Sequence, residues 1–138
     1  MTAKLARFDI SAAEIDRVVT AFYARIRADD VLGPVFISRL GTSERLWRPH
    51  EAKIAAFWRN AILFERAYSG NPMQVHKAVP EIEPAHFALW LSLFDEVLDQ
   101  ELEPATAKSF SALAHRIGRG LRMGIQEARQ PKDGPPIF

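Results

Sequence analysis

Apolar residues recur along this chain at three- and four-residue intervals, the period of helices that each bury one face. Ile15, Val18, Val19, Phe22, Tyr23 and Ile26 form the first such stripe. Ser11 and Glu14 precede it in capping-box spacing, so a helix is expected from Ser11. It should stop near Asp29 and Asp30, ahead of the Gly33-Pro34 break. Val31 to Leu40 is apolar but broken, which predicts one or two short helical turns with Phe36 turned inward. Thr42 and Ser43 offer caps for the next segment. Its main helix is expected to begin at Pro49, since proline suits a first turn, and to carry His50, Ile54, Phe57, Trp58 and Ala61 on one face. The run Tyr68-Ser69-Gly70-Asn71-Pro72 should end it. Met73 to Val79 then has room for only a turn or two before Pro80.

The second half reads more regularly. Glu83 and Pro84 open a helix with the stripe Phe87, Trp90, Leu91, Phe94, Val97 and Leu98. Pro104 opens the last one, with Phe110, Leu113, Ala114, Ile117, Leu121 and Ile125 on its buried face. Gly118, Gly120 and Gly124 either weaken that helix or let a neighbour approach closely. There is no alternating strand pattern, internal repeat or linker. The fold class is therefore all-α: a single domain over residues 1–130 and a proline-rich, loose tail over 131–138.

Composition narrows the function classes. At 138 residues the chain is long enough for one domain with a substantial core. A net charge of +1 gives no electrostatic case for nucleic acid or an anionic membrane surface. Cysteine is absent, which excludes disulfide scaffolds, thiolate zinc sites and iron–sulfur clusters and suits a reducing cytoplasm. No leader-like apolar stretch opens the chain, and no window approaches the roughly 20 apolar residues of a membrane span. The expectation is a cytoplasmic protein, monomeric by default.

Histidine carries the candidate chemistry. A lone histidine near an apolar face is ordinarily a satisfied core or surface residue, and His115 and His86 fit that description. His50 and His76 lie on separate elements and so could address opposite faces of one flat cofactor. Tyr23 and Trp90 add a polar handle each to greasy stripes. A zinc-protease reading of His50-Glu51 fails, because Ile54 stands where the second histidine is needed. A serine elbow and a phosphate-cradling glycine loop are also missing. Asp95 and Glu96 read as a solvated face.

Four segments together resemble a known family: FYARIRADDVLGPVF around Tyr23, WRPHEAKIAAFW around His50, YSGNPMQVH ending at His76 and HFALWLSLF around Trp90. In this order and spacing they resemble the truncated haemoglobins, the small globins with a 2-on-2 helical sandwich around haem, and most closely their third group. The first two groups carry paired glycines at helix junctions, and this chain has no Gly-Gly. The resemblance spans about residues 11–128. It implies haem b held by His76 through Nε2, with His50, Tyr23 and Trp90 around the ligand. It implies a propionate partner in Lys53, and packing of Phe36, Ile54, Phe57 and Phe87 against the macrocycle.

Physical chemistry adds expectations to these roles. The other ring nitrogen of His76 needs an acceptor, and a backbone carbonyl about one turn upstream is the natural one. Dioxygen held in such a pocket draws negative charge onto its oxygens, so the O–H of Tyr23 and the indole N–H of Trp90 favour it over neutral carbon monoxide. His50 has three open roles: ligand donor, gate on access, or a second bond to iron. The leading function is reversible binding of dioxygen and related ligands (carbon monoxide, nitric oxide, cyanide). The alternatives are a redox enzyme, such as a nitric oxide dioxygenase or a peroxidase-like catalyst fed by a separate reductase, and a cofactor-free helical interaction module.

Overall fold

The computed structural model describes residues 6–66, 68, 70–72, 76 and 82–129. The tail and most of the segment around His76 lie outside the described residues. Five helices are formed among the described residues: α1 (Ala12–Ala28), α2 (Leu32–Leu40), α3 (Glu44–Leu63), α4 (His86–Glu101) and α5 (Pro104–Ala128). No strand is present among them. Helices α1 and α3 pack as one pair and α4 and α5 as another, and α1 crosses onto α4 to join the layers.

The start of α1 is set by the capping box. Ser11 Oγ accepts from the Glu14 amide at 3.1 Å, and Glu14 Oε1 accepts from the Ser11 amide at 3.0 Å. Past its end, Asp29 Oδ2 accepts from the amides of Val31 and Leu32 at 3.0 and 2.8 Å, satisfying donors that open α2. Gly33 then sits so close to α1 that a Cβ would lie 3.0 Å from the Arg27 carbonyl oxygen. The absence of a side chain lets α2 fold back on α1 and turn Phe36 toward Tyr23. With nine residues, α2 is longer than the one or two turns expected.

Two boundaries of α3 differ from the sequence reading. The helix starts at Glu44, with Ser43 Oγ accepting from the Arg45 amide, and Pro49 lies inside it. Proline there forfeits one amide bond to the carbonyl a turn earlier. The serine cap and the burial of Trp47 outweigh that loss, since Trp47 is fully buried on the turn before Pro49. At the other end α3 stops at Leu63, because Phe64 takes a left-handed conformation (φ 59°) well before the Tyr68 turn. Arg7 covers the exposed end: its amide donates to the Ile62 carbonyl at 2.9 Å and its Nε to the Ala61 carbonyl at 2.7 Å.

Helix α4 begins at His86, two residues beyond Pro84, after a tight turn in which the His86 amide donates to the Glu83 carbonyl. Pro104 occupies the first turn of α5 as expected. Gly118 of α5 lets Leu91 of α4 approach, since a Cβ there would meet its side chain at 3.2 Å. Gly120 faces open space and has no such role. Asp95 is less free than its sequence suggested. It accepts from Ser111 Oγ at 2.6 Å and lies 2.8 Å from His115 Nε2, pinning α4 to α5.

The core is strongly aromatic. Trp58 of α3 stacks on Phe94 of α4 (5.6 Å, 16°), and Phe94 stacks on Trp90 (5.2 Å, 11°). Phe22 of α1 meets the edges of Phe94 and Trp90 at 4.9 and 5.3 Å. Such pairs add about 0.5–1.5 kcal/mol each beyond their buried area. This column holds Trp90 from below, so its orientation is set by the core.

Candidate functional site

The elements converge where α1, α2 and α3 meet. Tyr23 is buried on α1, and its ring meets His50 of α3 edge-on at 5.1 Å and 85°. Phe36 of α2 closes on both, 5.9 Å from Tyr23 and 6.2 Å from His50. Phe22 links this cluster to Trp90, touching Tyr23 at 5.3 Å on one side and Trp90 at 5.3 Å on the other. His76, in turn, lies 6.0 Å from the buried ring of Phe87.

The two histidines are in different states. The Nδ1 of His76 lies 2.6 Å from the Pro72 carbonyl oxygen, the acceptor one turn upstream that the sequence called for. With Nδ1–H donated there, the lone pair of the imidazole is directed through Nε2. The Nε2 of His50, in contrast, is buried without a hydrogen-bond partner among the described residues. Burial, and then the charges of Lys53 and His76, push the His50 imidazole down to about 4. It is therefore neutral at pH 7.

That shift has a consequence for stability. The folded-state value lies below the ordinary 6.5, so the neutral form is favoured by folding. Stability is complete above pH 6.5 and is lost as pH falls toward 4. Between pH 8 and pH 5, His50 should cost about 2 kcal/mol. Urea unfolding of the wild type should show this loss over and above that of His50→Leu; equal losses in both would mean that His50 titrates normally.

The remaining candidates are dispersed. Ile54 packs at the margin of the core, and Phe57 leans on Trp58 at 5.1 Å and Tyr68 at 5.4 Å. Lys53 is exposed on α3, three residues after His50. Three residues to which the sequence reading gave no role in the site also belong here: Trp47, Arg27 and Glu51. Trp47 lies 6.2 Å from Tyr23 and 6.5 Å from His50, with its indole N–H donating to the Gly41 carbonyl at 2.7 Å. Gly41 has φ 71°, a backbone setting that disfavours any side chain. Spacing could have revealed them, since Trp47 is one turn before His50 and Arg27 one turn after Tyr23. Burial chiefly, and then the Glu51 carboxylate, holds the Tyr23 phenol well above its usual range, so it remains an O–H donor.

A buried imidazole nitrogen with nothing to bond, together with a second histidine whose Nδ1 is taken by a backbone carbonyl and whose Nε2 lone pair is left over, fits the donor set of a flat metal cofactor. In a two-layer helical sandwich, this is the ground plan of a haem globin. No protein-family model matches the sequence. The chain is 38% identical over 90 residues to the group 3 truncated haemoglobin ctb of Campylobacter jejuni subsp. jejuni, a match covering 65% of this chain and 71% of that one. It also superimposes on the crystal structure of a group III truncated haemoglobin from Campylobacter jejuni with a TM-score of 0.82 and 29% identity, over 96% of this chain and all of the other. The chain belongs to the group 3 truncated haemoglobins, and membership of a globin family implies haem. No helix among the described residues is long and apolar enough to cross a membrane.

Proposed function

We propose that this chain binds haem b through Nε2 of His76 and holds dioxygen or a related diatomic ligand among Tyr23, His50 and Trp90. The observation that carries this reading is the contrast between the two imidazoles: His76 Nδ1 is engaged by Pro72 at 2.6 Å, while His50 Nε2 is buried and unpartnered. Haem, when bound, would supply an iron able to take up dioxygen, carbon monoxide, nitric oxide or cyanide.

The chain's own residues do the rest. Pro72 orients the His76 ring and raises its basicity as a ligand. Tyr23 presents a phenolic donor that stays protonated, and Trp90 an indole donor on a ring held by Phe94. His50 is neutral and so offers one N–H and one lone pair without adding charge. Its burial suits a gate on ligand access or a weak polar contact. Lys53 is exposed and three residues after His50, placed to meet a propionate at the rim.

The decisive experiment is the visible spectrum of protein made in haem-replete cells, taken reduced and then with dioxygen admitted. A haem spectrum that shifts with dioxygen supports the reading. A colourless folded protein that ignores added hemin would overturn it in favour of an interaction module. Lys53→Ala should hasten haem transfer to an acceptor globin roughly two- to fivefold, as expected for loss of one exposed ion pair. An unchanged transfer rate would remove Lys53 from the site.

A further inference from the structure

Tyr23 and His50 form one rung between α1 and α3, and a second rung lies beside it. Arg27, one turn after Tyr23, lays its guanidinium over Trp47, one turn before His50, with Cζ 4.2 Å from the ring centroid. Arg27 Nη1 donates to Glu44 Oε1 at 2.5 Å, and Nη2 lies 3.7 Å from Glu51 Oε2. Glu44 and Glu51 are two turns apart on α3, so one guanidinium spans that face of the helix. Arg27 Nε is buried without a hydrogen-bond partner among the described residues. A buried donor left unpaired is unfavourable, so the contacts of the guanidinium must compensate for it.

Trp47 is thereby held at two points outside the ligand pocket: its N–H by Gly41 and its face by Arg27. Its other neighbours are the pocket rings themselves, Tyr23, His50 and Phe36, at 6.2, 6.5 and 6.3 Å. The ring thus transmits the position of Arg27 directly to the donors.

We infer that Arg27 is a positioning residue for the ligand pocket, clamping Trp47 and Glu51 so that Tyr23 and His50 keep their edge-on geometry. The inference rests on the proposed ligand-binding reading. Arg27 touches no ligand in it and acts through the ring beneath it and the carboxylate beside it. Arg and Lys are not equivalent in this role, because only the planar guanidinium can stack on the indole and reach two carboxylates. The ion pair to Glu51 has a second effect: it holds toward α1 the α3 carboxylate whose charge is felt at the Tyr23 phenol.

The test is a mutant cycle on the haem-loaded protein with dioxygen dissociation as the readout. Arg27→Met should raise the off-rate five- to tenfold when Tyr23 is present and less than twofold in a Tyr23→Phe background. Arg27→Lys should recover only part of that change. The same factor in both backgrounds would mean general loosening and would overturn the inference. A second readout needs no cofactor: hydrogen exchange of the Trp47 indole N–H by NMR should speed up at least tenfold in Arg27→Met, and an unchanged rate would also overturn it. If the protein takes up no haem, the function reading fails, yet the exchange measurement still decides the role of Arg27. Should Arg27→Met not fold, Arg27→Lys and Trp47→Phe carry the same cycle, and off-rates within twofold of wild type in both would refute the clamp.

Discussion

Replacing His76 with glycine is expected to abolish stable haem coordination, and free imidazole is expected to restore it. The ring of His76 is oriented by one strong contact, the 2.6 Å bond between Nδ1 and the Pro72 carbonyl. Glycine removes the ring and leaves the carbonyl in place, with a space beside Phe87 of imidazole size. Loss of an outer partner to a ligating histidine typically costs about 10- to 100-fold in metal affinity, and loss of the ligand itself should exceed that. Reduced visible spectra with and without added imidazole check the result. A normal five-coordinate spectrum in the glycine variant without imidazole would refute the assignment of His76. His86 and His115 do not substitute, because each is engaged elsewhere: His86 Nδ1 accepts from the Glu83 amide, and His115 pairs with Asp95.

Tyr23→Phe is the second large effect. The substitution keeps the ring, and with it the edge contacts to Phe22, Phe36 and His50, but deletes the hydroxyl. A hydrogen bond to a charged acceptor is worth about 1.5–3 kcal/mol. At about 1.4 kcal/mol per decade, dioxygen should escape roughly ten- to a hundredfold faster. Carbon monoxide develops little charge, so its off-rate should change by less than about threefold, the equivalent of well under 1 kcal/mol. Flash photolysis and stopped-flow displacement measure both. Burial keeps the phenol protonated far above neutrality, so the effect should not fade between pH 6 and pH 9. If neither Tyr23→Phe nor Trp90→Phe alters dioxygen escape, these two side chains are core aromatics and the ligand is held by something else.

Local signals in the sequence were read well where a single residue pair decides the outcome. The Ser11–Glu14 box, the stop at Asp29 and the start at Pro104 all depend on a few neighbouring atoms. Pro49 misled because its local preference for a first turn is real, but so is the cap at Ser43, six residues before Pro49. Which of two valid starts is used depends on burying Trp47, a long-range matter. The early end of α3 has a similar origin: Phe64 adopts a left-handed conformation that no glycine or asparagine announces.

For the candidate site, the residue types and their order could be read from the chain alone: two histidines on separate elements, a tyrosine and a tryptophan on apolar stripes, and four family-like segments in sequence. Those are matters of spacing, which a helix converts directly into a shared face. Tertiary structure alone decided the neutral state of His50, the stacking of Trp90 on Phe94 and the second rung of Arg27 on Trp47. Each arises where side chains from two or three helices meet, and desolvation and stacking there depend on distances across helices that no one-dimensional pattern encodes.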